Sequence, residues 1–192
     1  MEVQVLSSAP VLMKFLLLPA VALFFLASIW VVAYIGPNAN LSISLHVAKT
    51  KLTQWVFGTV TTIATLLATC TIFGWILPYY DANLLVACLY LLIVSAFLLI
   101  AVIPHIEGTW RENAHNVAAW GVVYVIPLAM VTSQSWELSI PARAVSAILA
   151  VVAAVLLVLA LFRRERYRHV FLYFQSAYLA VFFLFLLTIT YL

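Results

Sequence analysis

Six long apolar runs, separated by short polar breaks, organise the chain. They cover about 12–35, 53–77, 82–104, 115–133, 142–162 and 170–191. A helix needs roughly 20 apolar residues to cross hydrocarbon, and each run meets that length. A barrel strand would be about half as long and would alternate, so helices are predicted. Turn chemistry marks the breaks. Gly36-Pro37-Asn38 ends the first run, and Pro78-Tyr79-Tyr80-Asp81 parts the second from the third. Pro104 opens the third connection, Pro141 sits in the first turn of the fifth helix, and Arg163 to His169 forms the fifth connection. The first run is too long for a signal peptide and lacks a basic leader, with acidic Glu2 instead, so it is expected to stay as a helix. The pattern predicts an all-α polytopic integral membrane protein, its six transmembrane helices in one bundle forming a single domain over 1–192. The halves share no alignable motif, so an inverted-repeat transporter is not supported.

Composition agrees. Hydrophobic residues make up 67% of the 192 residues and charged residues 8%, and the mean hydropathy is +1.19. An average soluble domain is about 45–50% apolar and about 25% charged. A soluble domain, a disordered tail and a nucleic-acid binder are excluded. Cys70 and Cys88 have no CxxC spacing and are expected to be buried small hydrophobes, not a disulfide or a zinc site.

Charge sets the expected orientation. Connections one, three and five carry seven basic residues: Lys49, Lys51, Arg111, Arg163, Arg164, Arg166 and Arg168. The other side carries two, Lys14 and Arg143. The positive-inside rule places connections one, three and five in the cytoplasm and both termini outside, in a multi-pass protein of the cell membrane. The basic run from Arg163 to Arg168 reads as a stop signal and a contact for anionic lipid.

Polar groups in or near a bilayer are costly and mark candidate sites. His46, His105, His115 and His169 all fall at the predicted cytoplasmic end. The third connection places His105, Glu107, Glu112 and His115 within eleven residues. Glu112 and His115 lie three apart and share a helix face. Imidazole and carboxylate together suit a single transition-metal ion. The same groups suit metal-free acid–base work, with His115 as base, His105 as its partner and Glu107 and Glu112 as orienting carboxylates. The structural alternative is a polar interhelical loop, in which Asn113 caps the fourth helix and Glu107 or Glu112 pairs with Arg111.

The second span carries Gln54, Gly58, Thr61, Thr62, Thr65 and Thr69 at helical spacing. Small and hydroxyl residues permit close helix packing, or they wall a polar pathway. Gln175 and Tyr178, three apart in the sixth span, face one way. With Gln54, Thr61, Thr65, His115 and Asn116 they are expected to line one ligand pocket. Aromatic residues at helix ends (Trp30, Tyr34, Trp55, Trp75, Tyr79, Tyr80, Trp110, Trp136, Tyr167, Tyr191) read as an interfacial belt. The Phe-rich sixth span reads as packed or lipid-facing. No GxSxG elbow, Walker loop, HExxH or arginine ladder occurs, and no lysine in the last helix offers a retinal Schiff base. A two-haem cytochrome would need histidine pairs at both faces.

The run Ala101-Val102-Ile103-Pro104, a short polar loop, His115 with Ala118-Ala119, and Pro127-Leu128-Ala129 resembles the Frag/DRAM/Sfk family of six-helix membrane proteins and similar prokaryotic membrane proteins. The resemblance covers roughly 101–130. It implies a six-helix bundle and a role in membrane lipid handling such as lipid-anchor remodelling, with His115 as the family's loop histidine.

The leading expectation is a membrane protein that binds or modifies a lipid or amphipathic ligand through the His/Glu cluster. One alternative is a small transporter or channel along the threonine stripe. Another is a non-catalytic assembly subunit, oligomeric through a seam of small residues such as Gly58, Ala64 and Ala68. Membrane lipids are the expected partners, and nucleic acid is not.

Overall fold

The computed structural model describes residues 8–162 and 170–192. The basic run from Arg163 to Arg168, Tyr167 and His169 lie outside the described residues, as does Glu2. Among the described residues there is no strand, and six helices are long and apolar enough to cross a membrane.

The first span is Val11–Ile35, built from α1 (Ser8–Phe15) and α2 (Leu17–Ile35). Pro19 has no N–H to offer the Phe15 carbonyl, which accounts for the interruption at Leu16. A short helix α3 (Ile43–Val47) follows, capped by Ser42, whose Oγ accepts from Leu45 N–H at 3.1 Å. The second span, Lys51–Tyr79, comprises α4 (Lys51–Thr71), a π-helical turn at Ile72–Ile76 and α5 (Leu77–Tyr79). Thr50 and Thr53 close a capping box at its start. Pro78 cannot donate to Gly74, and the turn before it widens so that Leu77 N–H reaches Ile72 O.

The third span is α6 (Leu84–Val102), N-capped by Asn83. It ends where Ile103, before Pro104, leaves the helical region at φ −97°, ψ 104°. The fourth, α7 (Trp110–Thr132), continues into a 3₁₀ turn at Ser133–Ser135. It begins five residues earlier than the apolar pattern predicts, because Trp110-Arg111-Glu112-Asn113-Ala114, whose charged and amide residues interrupt the apolar run, forms its first turn. Asn113 is therefore inside the helix and not its cap. Glu112 accepts from Gly108 N–H at 2.7 Å instead. The fifth and sixth spans are α8 (Ile140–Phe162) and α9 (Phe171–Tyr191).

Each span packs on the next: α2 on α4, α4 on α6, α6 on α7, α7 on α8 and α8 on α9. Helix α9 also touches α2, which closes the ring. The centre is aromatic: the Phe24 ring lies 5.0 Å from Phe183 and 6.1 Å from Phe97. Phe182, Phe183 and Phe185 are buried, so the Phe-rich helix packs inward. At the end near Pro78, Trp136 is buried against Tyr80 at 4.7 Å and Tyr90 at 6.2 Å. Trp136 is thus a core side chain and not a member of an exposed belt, whereas Trp55 and Trp110 are exposed.

Two further expectations change. Cys70 and Cys88 are free and exposed, because they fall on the outward faces of α4 and α6. The small-residue seam is used within the chain. Ala64 and Ala68 are buried, and Gly58 faces the Ala101 carbonyl so closely that a Cβ would stand 2.8 Å from its oxygen.

Candidate functional site

A cavity of about 330 Å³ opens inside the ring at the end carrying connections one and three. That volume is within the range of small-ligand sites. All six spans contribute, from Phe24 on α2 to Ala160 on α8 and Leu179 on α9, and α3 adds Ile43, Ser44 and Leu45. Polar walls come from Ser42, Ser44, His105, Glu112, His115, Asn116 and Gln175. Deeper in the ring, Phe24, Phe57, Phe97, Val122 and Val123 make an apolar floor.

The hydrogen bonds show how the chain holds these groups. His115 is buried near the start of α7 and does not lie in a loop. Its Nδ1 lies 2.8 Å from Ile103 O, and its Nε2 lies 2.9 Å from Ser44 Oγ. A carbonyl only accepts, so Nδ1–H is the donor to Ile103. His105 stands edge-on to His115, with ring centroids 5.4 Å apart. Its Nδ1 is buried without a hydrogen-bond partner among the described residues. Gln175 Oε1 accepts from Ile43 N–H at 2.9 Å, which fastens α3 to α9 at the cavity wall.

The structure brings together eight of the ten candidate residues: His105, Glu112, His115, Thr61, Thr65, Asn116, Gln175 and Tyr178. Two fall outside. Glu107 is exposed in the third connection, and Gln54 turns back to donate to Ala48 O at 3.1 Å. Tyr178 lines the wall but its hydroxyl is already used, donating to Val123 O at 2.6 Å. Pro127 has no N–H for that carbonyl, and Tyr178 supplies the missing donor. The threonine stripe is likewise committed. Thr61, Thr62, Thr65 and Thr69 donate to the carbonyls four residues back, at 2.6, 2.7, 2.7 and 2.7 Å.

The proposed four-ligand metal set does not assemble. Among the described residues, no three His, Cys, Asp or Glu side chains converge. Glu107 is exposed and does not line the cavity, both His115 nitrogens are occupied, and Glu112 is engaged at Gly108 N–H. Nor does Glu107 or Glu112 pair with Arg111, which instead lies 5.8 Å over the Trp110 ring.

Sequence reasoning missed Ser44 and α3. The only signal was Ser42 three residues before Leu45, a capping pattern over a segment too short to show periodicity. No family model, curated protein or solved structure matches the chain.

Proposed function

We propose that the protein is a multi-pass membrane protein that binds an amphipathic ligand, a membrane lipid, in this cavity. The observation that carries the reading is the polarity gradient along one pocket: histidine, carboxylate and amide groups at the bundle end, phenylalanine and valine at the floor. A headgroup finds donors and an acceptor at the first. An acyl chain finds apolar contact at the second. The buried, unpartnered His105 Nδ1 adds a reason for a polar ligand, because such an atom costs about 1–3 kcal/mol unless bonded. The six apolar helices support residence in a membrane, and the basic residues of connections one, three and five are the reason to read that membrane as the cell membrane with those connections in the cytoplasm. A place among Frag/DRAM/Sfk-like lipid-handling proteins would accord with this reading.

The threonine-lined pathway is the weaker reading, since the hydroxyl protons of the stripe are bonded within their own helix. The test is lipid mass spectrometry on protein purified in mild detergent. Wild type should retain a defined lipid through washing. Ala119→Phe, which fills the cavity wall, should lower its occupancy at least fivefold without changing the melting temperature by more than a few degrees. A wild type that carries only detergent, even after lipid is added back, overturns the reading.

A further inference from the structure

The bond between His115 and Ser44 has only one possible polarity when the ring is neutral. Ile103 O fixes the proton on Nδ1, so the neutral ring presents a bare Nε2. Ser44 Oγ lies 2.9 Å from it, and the hydroxyl must be the donor. The reverse arrangement would need a doubly protonated ring, a buried cation to which no carboxylate among the described residues bonds. A hydroxyl donating to an imidazole whose other nitrogen is held by a third group is the arrangement that activates a serine. Both side chains line the cavity. Their positions in the chain are 71 residues apart, so helix packing and not local spacing brings them together.

We propose that Ser44 and His115 form a nucleophile–base pair that cleaves a carboxylic ester of an amphipathic molecule held in the cavity. The proposal rests on the ligand-binding reading above. Ser44 Oγ attacks the ester carbonyl carbon while its proton passes to His115 Nε2. The tetrahedral intermediate collapses, the bond to the alcohol breaks, and the alcohol leaves with the proton from Nε2. An acyl ester remains on Ser44. Water then attacks it, giving a proton to Nε2. The bond to Oγ breaks, the carboxylic acid departs, and Ser44 regains its proton. The balance is ester plus water to alcohol plus acid. Charge on the carbonyl oxygen is met by amide groups on the same cavity: Asn116, and the Gln175 NH₂ left over from the bond at Oε1.

The test exposes the full-length protein in mild detergent to an alkyl fluorophosphonate, with lipid occupancy measured on the same preparations. Wild type should gain one phosphonyl adduct, located at Ser44. Ser44→Ala should gain none, and His115→Gln should label at least tenfold more slowly. His115 also ties α3 to the end of α6, so a second variant serves if His115→Gln does not fold. In Ser44→Cys, iodoacetamide should alkylate Cys at that position at least tenfold faster than it alkylates N-acetylcysteine at the same pH. Bound lipid with no Ser44 adduct, or an ordinary thiol rate in Ser44→Cys, overturns the dyad and leaves lipid binding standing. Loss of both lipid and adduct overturns the two together.

Discussion

A missing proton on Pro127 determines what Tyr178 does. The Val123 carbonyl faces an imino acid four residues on, and in a dry bundle an unbonded carbonyl costs about 1–3 kcal/mol. The Tyr178 hydroxyl takes it at 2.6 Å. Tyr178→Phe should therefore lower stability by about 1–3 kcal/mol, read as a fall in melting temperature in detergent. Pro127→Ala restores an N–H to the helix, so the cost of Tyr178→Phe should shrink by more than half in that background. An equal cost in both backgrounds would show that the hydroxyl does something else. Sequence spacing placed Gln175 and Tyr178 on one face correctly, since helical periodicity reports direction. It could not report that the hydroxyl was spoken for, because the acceptor is a backbone group on another helix. Ser44 was missed for the same reason: its partner lies at the start of α7.

Close approach of α4 and α6 is an element-scale property that one residue permits. A Cβ at Gly58 would stand 2.8 Å from Ala101 O, and both elements wall the cavity. Gly58→Ala should force the helices apart and cost about 1–3 kcal/mol, the usual range for overpacking. Gly121 on α7 is the internal control. Nothing lies within 4 Å of its added Cβ, so Gly121→Ala should be neutral or stabilising by up to about 1 kcal/mol through helix propensity alone. Melting curves of the two variants decide it, and equal shifts would refute the packing argument. The same two helices show what was legible. Their spans could be read from apolar length, α6 because nearly all of it is apolar and α4 because its apolar residues still outnumber its threonines. The stripe of Gly58, Ala64 and Ala68 read equally well as a seam between chains, since small residues signal close packing without naming the partner. The π-helical turn and α3 were not legible: one hides inside an apolar run, and the other spans only Ile43–Val47.

On the scale of the whole molecule, the outward surface bears on whether the body is solvated by water or by lipid. Leu26, Ile148, Val151 and Leu184 are all more than half exposed on it. Monomeric soluble proteins rarely leave large contiguous apolar patches open to water, and exposed apolar side chains on several spans favour a lipid surround. Cys70 makes the point measurable. It is exposed on α4, inside the second span, and more than two turns from that span's end at Tyr79. A maleimide reacts with thiolate, which does not form in hydrocarbon. In a Cys88→Ser background, a polar maleimide should leave Cys70 unlabelled in intact membranes and label it fully once the chain is denatured in detergent. Added cysteines then read the orientation. Asp81 and Glu107 are exposed at opposite ends of α6. With Cys70 and Cys88 removed, Asp81→Cys should label from outside intact cells, and Glu107→Cys only after permeabilisation. The reverse pattern would invert the orientation and put the cavity mouth at the outer leaflet. Rapid labelling of Cys70 in native membranes would contradict insertion of α4, and with it the lipid-facing role of the apolar exterior.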